Sequence, residues 1–334
     1  MSLLVLDDIC VSIWGIPVLR NLSLILDRGE RVGMIGESGC GKSISLLTMM
    51  GLLPPGATVS GSFIFEERDM LSISEREWCG VRGSRISVIV QEPMTALSPL
   101  MRIGDQVSEI IRIHDRKISR KASHARSIDL LMRMELNEPE RVATAYPHQL
   151  SGGQRQRVMI AMAIACGPAL ILADEPTTAL DVTVQAKMLE LLVRVVEQEG
   201  SSLLLVSHDI AVVSNVCERL IVLYGGRVVE EGPCAAVLGR PLHPYTAGLV
   251  ATTSALLSDD GMEGRRRPHL PMIPGSVPSI GAFPRGCPFR GRCRNETGQC
   301  ASMPEMRCLE HSVACWHPEA GNAMQTSATV AEQV

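Results

Sequence analysis

Short runs of apolar residues recur along the chain and predict β-strands. Two of them, Leu170–Ala173 and Leu203–Val206, are apolar at every position, as is typical of parallel strands buried on both faces. Between them, Val184 to Gln198 has apolar residues at helical spacing, and Gly200 marks the end of that helix. Strands alternating with helices predict an α/β fold with a mostly parallel core sheet. Further strands are expected at Leu3–Leu6, Leu22–Leu26, Arg31–Ile35, Arg85–Val90, and, as a hairpin, at Leu220–Tyr224 and Arg227–Glu231.

The same pattern divides the chain into parts, as a length of 334 residues favours more than one hydrophobic core. A main domain is expected at residues 1–257, and charged residues with a helical apolar period indicate a helical subdomain at about 94–165. Residues 258–286 are rich in proline and predict a linker. A cysteine-rich region follows at 287–318, and the small, polar residues 319–334 predict a disordered tail.

Composition excludes several classes of protein. With 46% hydrophobic and 20% charged residues the chain is expected to be globular, and a net charge of −4 with 3% aromatic residues disfavours a dedicated nucleic-acid binder. Asp7 and Asp8 stand where a signal peptide needs basic residues, so no secretion is expected. The uncharged run Val158 to Ala173 is shorter than the ~20 residues needed to cross a bilayer, so we expect no transmembrane span.

A phosphate-binding motif follows the strand predicted at Arg31–Ile35. Its residues match G-x-x-x-x-G-K-[ST] and read Gly36-Glu37-Ser38-Gly39-Cys40-Gly41-Lys42-Ser43. The glycines let backbone N–H groups point inward, and the helix expected from Lys42 adds partial positive charge at its N-terminus. Lys42 is expected to reach the β- and γ-phosphates of a nucleotide, and the Ser43 hydroxyl to bind Mg²⁺. A plain glycine turn is the weaker alternative.

Two carboxylates end the apolar strand at Leu170–Ala173. Asp174 is expected to hold the Mg²⁺ opposite Ser43. Glu175 is expected to face the γ-phosphate and to act as the general base for the attacking water. A helix cap is the alternative for this pair, and the phosphate loop makes it the weaker one.

A second anion-binding pattern, Leu150-Ser151-Gly152-Gly153-Gln154, precedes another helix. It resembles the LSGGQ signature of the ATP-binding subunits of ABC transporters, and the resemblance covers about residues 1–255. The resemblance implies a P-loop NTPase of the ABC type, with a mostly parallel core sheet, an antiparallel β subdomain and a helical subdomain. It also implies a head-to-tail dimer in which the signature of one subunit closes over ATP held by the other. Asp181, after Ala179-Leu180, matches the D-loop at that interface.

Three further residues gain roles from the resemblance. Gln91 fits the Q-loop, which senses Mg²⁺ and water near the contact with the membrane subunits. His208 matches the switch histidine, which bonds the γ-phosphate and positions Glu175, although a lone histidine at a strand end is often structural. Trp14 stands where the family commonly stacks an aromatic ring on adenine, with ordinary surface exposure as the alternative.

Other segments resemble one subfamily, the peptide and nickel importers. These are the Q-loop from Gln91 to Pro99, Tyr146-Pro147-His148, and His243-Pro244-Tyr245-Thr246. Glu92, Ala96 and Ser98 depart from the usual Q-loop. The resemblance implies an ATPase at the cytoplasmic face of the plasma (inner) membrane that works with two permease subunits, an extracytoplasmic solute-binding protein and a second, related ATP-binding subunit. Whether the solute is a di- or oligopeptide, nickel, glutathione or another small molecule stays open.

The C-terminal cysteines suggest a metal site. By resemblance to the four-cysteine tail of these ATPases, a [4Fe–4S] cluster is expected on Cys287, Cys293, Cys300 and Cys315. Structural zinc and unmetallated thiols are the alternatives. Cys308 has no counterpart in that tail, so it is either a spare thiol or a replacement for Cys300 or Cys315.

Two rival functions remain after the resemblance. A soluble ABC ATPase acting in DNA repair or translation would be expected to show tandem cassettes, a long coiled-coil insertion or a basic surface, and the sequence has none of these. A module that binds nucleotide without turnover requires a damaged site. The residues that would have to be lost are all present: Lys42, Gln91, Asp174, Glu175 and His208.

Overall fold

The computed structural model describes residues 1–177, 181–257 and 272–319. Within these ranges the strands form two sheets, one of four and one of eight strands. The chain begins with a long hairpin of β1 (Ser2–Ile13) and β2 (Ile16–Asp27), whose turn is made by Trp14 and Gly15 at φ 52° and 76°. Positive φ at both turn residues matches the right-handed twist of the paired strands.

The hairpin belongs to the antiparallel sheet, whose other strands are β4 (Ala57–Phe65) and β5 (Arg68–Asp69) in the order β2-β1-β4-β5. Along β2 the residues Leu22, Leu24 and Leu26 are buried while their neighbours are exposed. This alternation sends one face of the sheet into the core and leaves the other to solvent. Sequence analysis missed β4, because only its last residues carry buried aromatic side chains.

The larger sheet carries the phosphate loop. In chain order its strands are β3 (Arg31–Ile35), β6 (Ile86–Ile89), β7 (Leu170–Asp174), β8 (Ser202–Val206), β9 (Arg219–Tyr224), β10 (Arg227–Pro233), β11 (Arg307–Cys308) and β12 (Ser312–Val313). Their spatial order is β11-β12-β10-β9-β3-β8-β7-β6. The run from β9 to β6 is parallel, and the strands beyond β9 are antiparallel, so the sheet is mixed.

Both faces of the parallel strands are buried, which explains their unbroken apolar sequences. Leu170 and Leu172 face one hydrophobic core, shared with the antiparallel sheet, whereas Ile171 and Ala173 face a second core. Successive residues of a strand point to opposite faces, so each residue of β7 needs an apolar side chain. The strand predictions here are confirmed.

Helices cover the larger sheet, and the bounds of those described are α1 (Lys42–Met49), α2 (Glu75–Val81), α3 (Pro93–Ala96), α4 (Ile103–His114), α5 (Arg120–Arg133), α6 (Pro139–Thr144), α7 (Gly152–Ile164), α8 (Val182–Glu199), α9 (Ile210–Val216), α10 (Cys234–Gly239) and α11 (Pro244–Leu257). The helices α3 to α7 lie between β6 and β7 in the chain, where the sequence predicts a helical subdomain. Helix α8 begins after Asp181, whose carboxylate accepts from Val184 N–H, and ends at Gly200 with φ 63°.

The cysteine-rich region joins the main sheet at its edge. Strand β12 pairs with β10 through Glu230 and Val313, and β11 pairs with β12. Beside this pairing, His311 Nε2 lies 2.6 Å from Glu230 Oε1, and both side chains are buried. A linker at 258–286 would suggest that the cysteine-rich region is a separate appendage. The pairing of β12 with β10 shows instead that its described residues pack against the main sheet. Residues 258–271 of that linker and 320–334 of the predicted tail lie outside the described residues.

Among the residues described, no helix combines the length and apolar character that crossing a bilayer requires.

Candidate functional site

The phosphate loop lies between β3 and α1, and its glycines make the path possible. Gly36 has φ 157°, and a Cβ there would lie 2.3 Å from the carbonyl oxygen of Leu223. Gly41 precedes α1 with φ 109°, in the left-handed region that favours glycine. The loop thus closes tightly over the end of the sheet and opens directly into the N-terminus of α1, where unpaired N–H groups favour an anion.

Lys42 places its ammonium group inside this loop. Its Nζ donates to the carbonyl oxygens of Gly36 at 2.6 Å and Glu37 at 3.2 Å, and the residue is buried. The Cys40 side chain is buried beneath the loop, and burial raises the pKa of its thiol. The loop therefore presents positive charge at its centre and an inert thiol at its base.

Asp174 ends β7 next to Ser43, and the Ser43 side chain hydrogen-bonds to its carboxylate. Burial and the neighbouring charge of Glu175 raise the pKa of Asp174. A hydroxyl and a half-buried carboxylate are oxygen donors of the kind Mg²⁺ prefers, and a cation there would offset the two adjacent negative charges. The residues therefore fit the Mg²⁺ role that the sequence predicts for them.

Glu175 is the point where the predicted catalytic residues meet. Gln91 Nε2 donates to Glu175 Oε2 at 3.1 Å, and His208 Nδ1 lies 2.9 Å from Glu175 Oε1. The three residues follow β6, β7 and β8, which are adjacent and parallel, so their carboxyl ends share one edge of the sheet. Glu175 itself has φ 46°, a strained value of the kind that functional sites store.

A cavity of about 370 Å³ brings these groups together. Its lining consists of Val18, Ser38, Gly39, Gly41, Lys42, Ser43, Ile44, Gln91, Asp174, Glu175, His208 and Ile280. Trp14 is not among them; it is 76% exposed and packs over Gly56, so its contact with adenine stays a prediction. Sequence analysis missed Ile280, because the residue falls in the stretch predicted to be a linker.

The signature motif lines a different cavity, of about 470 Å³, with Arg157, Asp181, Val184 and Lys187. Ser151 caps α7: its hydroxyl accepts from Gln154 N–H at 3.3 Å, and the Gln154 side chain accepts from Ser151 N–H at 2.9 Å. Because the hydroxyl acts as an acceptor in this cap, its own proton can be donated to a phosphate. The basic residues Arg157 and Lys187 make the same cavity attractive to an anion.

The four predicted cluster cysteines are neighbours in the fold. Burial, together with the nearby thiols of Cys287, Cys293 and Cys300, raises the pKa of Cys315 to about 12. Backbone N–H groups of Phe289, Asn295 and His317 hydrogen-bond to three of these sulfurs, on Cys287, Cys293 and Cys315. Cys308 is exposed on β11 and takes no part in this group of interacting thiols. Among the residues described, no three His, Cys, Asp or Glu side chains form a group that could hold a metal ion.

Taken with the phosphate loop and the signature, this geometry defines an ATPase of the ABC type. Residues 19–178 match the family described as ABC transporter, and residues 229–300 match the family described as oligopeptide/dipeptide transporter, C-terminal region. The chain is 44% identical over 309 residues to a probable D,D-dipeptide transport ATP-binding protein of Escherichia coli, covering 91% of this chain and 92% of that protein. It is 42% identical over 287 residues to an oligopeptide transport ATP-binding protein of Bacillus subtilis, covering 85% of each. The chain belongs to the ATP-binding subunits of ABC transporters, in their oligopeptide/dipeptide group.

Solved structures agree with the fold. A dimeric ATP-binding cassette in a post-hydrolysis state, bound to ADP and Pi, matches with a TM-score of 0.62 and 33% identity. The match covers 69% of this chain and 98% of that one. The remaining part of this chain is therefore additional to the cassette, and much of it is the C-terminal region.

Proposed function

We propose that this ATPase powers the import of di- or oligopeptides across a bacterial membrane. The observation that carries the ATPase part of the proposal is the joint contact of Glu175 with Gln91 and His208 at the edge of the phosphate-loop cavity. Relatives named for dipeptide and oligopeptide transport support the solute class. Nickel, glutathione or another small solute is the alternative, since the residues of the ATP site do not contact the transported molecule.

The hydrolytic step is assigned to the groups in the first cavity. Lys42 and the N–H groups of the loop bind the β- and γ-phosphates, and Ser43 and Asp174 are the residues that would hold Mg²⁺, which would neutralise charge on the phosphates. Glu175 takes a proton from the attacking water, and His208 and Gln91 fix the carboxylate that receives it. A positioned general base contributes about 10²- to 10⁴-fold to the rate enhancement of a reaction. The fixed carboxylate of Glu175 is therefore expected to account for a large part of the acceleration of ATP hydrolysis.

We further propose that the working unit is a dimer of ATP-binding subunits at the cytoplasmic face of the membrane. The phosphate loop and the signature line separate cavities of one chain, which supports a dimer in which a second subunit supplies the signature over each bound ATP. The partners we propose are two permease subunits, an extracytoplasmic solute-binding protein and a related ATP-binding subunit. The isolated chain is then a poor ATPase.

For the cysteine-rich region we propose a [4Fe–4S] cluster on Cys287, Cys293, Cys300 and Cys315. Three features support it: the four thiols interact with one another, backbone N–H groups hydrogen-bond to three of the sulfurs, and Cys308 is outside the group. Structural zinc and unmetallated thiols are the alternatives, since among the described residues no three such side chains form a group that could hold a metal ion.

The transport proposal is tested with the assembled transporter reconstituted in liposomes. ATPase activity is measured with the solute-binding protein loaded in turn with a dipeptide, an oligopeptide, Ni²⁺ or glutathione. Stimulation by peptides alone supports the proposal, and stimulation by Ni²⁺ or glutathione alone supports the alternative. The Glu175→Gln transporter is the matched control, since it keeps the complex and loses the base.

A further inference from the structure

The second residue of the phosphate loop is held by a side chain from the cysteine-rich region. Arg292 donates two hydrogen bonds to the Glu37 carboxylate, from Nη1 to Oε2 at 2.7 Å and from Nη2 to Oε1 at 3.1 Å. The two residues are 255 positions apart in the chain. Such a two-point contact fixes both the distance and the orientation of the carboxylate, which a single hydrogen bond does not.

Arg292 is itself held in place by its surroundings. Its Nε donates to the carbonyl oxygen of Pro274 at 2.9 Å, and Nη1 also donates to the Tyr224 hydroxyl at 3.1 Å. The side chain is 6% exposed, and its hydrogen bonds to Glu37 hold the pKa of the guanidinium above its usual range. The Glu37 side chain is 27% exposed, so solvent screens the contact only from the carboxylate side.

The backbone of Glu37 is held at two further points. Its N–H donates to the Tyr245 hydroxyl at 2.7 Å, and its carbonyl oxygen accepts from Lys42 Nζ at 3.2 Å. Arg292 therefore acts on the same residue whose carbonyl contacts the phosphate-binding ammonium group. If Glu37 moved, the path of the loop and the position of Lys42 would change together.

We propose that Arg292 is a positioning residue for ATP binding: through Glu37 it holds the phosphate loop in the shape that receives the β- and γ-phosphates. The proposal rests on the ATPase function and is independent of the transported solute and of any metal on the cysteines. It makes ATP affinity depend on the docking of residues 272–319 against the ATP-binding domain. It predicts an effect on nucleotide binding, and little effect on the hydrolytic step, since Arg292 contacts none of the three residues around the attacking water.

The test compares Arg292→Met with a matched control, Arg294→Ala. Arg294 lies on the other side of Cys293 and pairs at the surface with Glu319, away from the phosphate loop. Affinity of the full-length chain for a fluorescent ATP analogue is measured, together with kcat and KM for ATP in the assembled transporter. We expect Arg292→Met to weaken ATP binding and raise KM about tenfold, the equivalent of about 1.4 kcal/mol, with kcat near that of the wild type. Arg294→Ala is expected to leave both unchanged.

A double-mutant cycle separates positioning from a general loss of stability. Glu37→Ala removes the other partner, so each single variant is expected to lose about tenfold in affinity, and the double variant also about tenfold instead of about a hundredfold. Arg292→Lys, which keeps the charge but loses the two-point contact, is expected to fall between the wild type and Arg292→Met. Unfolding temperatures of all variants are measured without nucleotide.

Three results would overturn the proposal. The first is equal ATP affinity in Arg292→Met and Arg294→Ala. The second is a loss of ATP affinity of about a hundredfold in the double variant. The third is a loss of affinity in Arg292→Met that follows its unfolding temperature, with no loss in a stable Glu37→Ala protein. If Arg292→Met does not fold, the proposal is tested with Glu37→Ala and Arg292→Lys alone. Both variants must weaken ATP binding, and unchanged affinity in either one overturns the proposal. A failure of peptide stimulation or of metal binding would leave these affinities unchanged, so it is distinguishable from a failure of this proposal.

Discussion

His208 Nδ1 lies 2.9 Å from Glu175 Oε1, although the two residues follow different strands. The contact is possible because β7 and β8 are parallel neighbours that end at the same edge of the sheet. Gln91, after β6, reaches the other oxygen of the same carboxylate. Glu175 is thus held at both oxygens by polar side chains, and its backbone has a strained conformation.

Replacing Glu175 by Gln is expected to abolish hydrolysis while ATP still binds. An amide accepts no proton from water, but the loop, Lys42 and Asp174 are untouched, so turnover should fall by at least about 100-fold with ATP affinity kept. Turnover is measured in the assembled transporter, and binding with a fluorescent ATP analogue. Near-normal turnover would refute the role of Glu175.

Replacing Ser151 by Asp tests the signature without removing the helix cap. Aspartate is as good an N-cap as serine, so α7 and the unfolding temperature should be kept. Its carboxylate cannot donate a hydrogen bond and repels a phosphate held by the partner subunit, so turnover should fall about 100-fold. Ser151→Ala is the contrasting variant, because it should also lose about 1 kcal/mol of helix stability. Unchanged turnover in Ser151→Asp would contradict the proposal that the signature takes part in the active site.

Ile280 and Trp14 are competing candidates for the nucleoside end of the site. Ile280 lines the cavity beside Val18, whereas Trp14 lies on Gly56 outside it. Ile280→Ser is therefore expected to raise KM for ATP a few-fold, and Trp14→Ala to raise it less, because apolar area is lost from the cavity only in the first case. KM is measured for both in the assembled transporter. A larger effect of Trp14→Ala would instead support the stacking role that the sequence predicts.

Purified without oxygen, the chain is expected to be brown and to hold about four iron and four sulfide. Cys315→Ser should lose the colour, because that thiol interacts with the other three. Cys308→Ser should keep it, and is the matched control. Iron, zinc and sulfide are measured together with the visible spectrum. A colourless protein with one zinc, or one without metal, would contradict the cluster.

Stability should fall as the pH falls below about 6.5, because of His243. Burial lowers the pKa of this histidine from its ordinary 6.5 to about 3, and its Nδ1 accepts from Tyr245 N–H. At pH 5 the unfolded chain binds a proton that the folded chain does not, which costs about 2 kcal/mol relative to pH 7. Urea unfolding at pH 5, 6 and 7 measures this. His243→Gln keeps an acceptor for Tyr245 N–H but does not titrate. The free energy of unfolding of this variant should therefore change less with pH than that of the wild type, and an equal change would contradict the role of His243.

Elements whose important residues are consecutive could be predicted from the sequence alone. The phosphate loop, the acidic pair after β7 and the signature ahead of α7 are each local, because a loop that binds phosphate needs particular backbone freedom at fixed spacing. The parallel strands and α8 were predicted to within about two residues at each end, because burial on both faces requires apolar residues throughout. Strands β1 and β2 are much longer than predicted, since they continue into residues that are partly exposed. The expectation that His208 positions Glu175 came from the resemblance, and the contact of Gln91 with Glu175 was not predicted, since no local pattern indicates that three strands are neighbours.

The contacts that the C-terminal region makes with the rest of the protein are visible only in the folded chain. Its prolines and cysteines predict a linker and a metal tail, but they give no sign that β12 extends the main sheet, that Ile280 lines the ATP cavity or that Arg292 holds Glu37. These contacts join residues far apart in the chain, and none of them follows from a periodic pattern in the sequence. A single arginine can pair with any accessible carboxylate, and the order of the strands determines which one it meets.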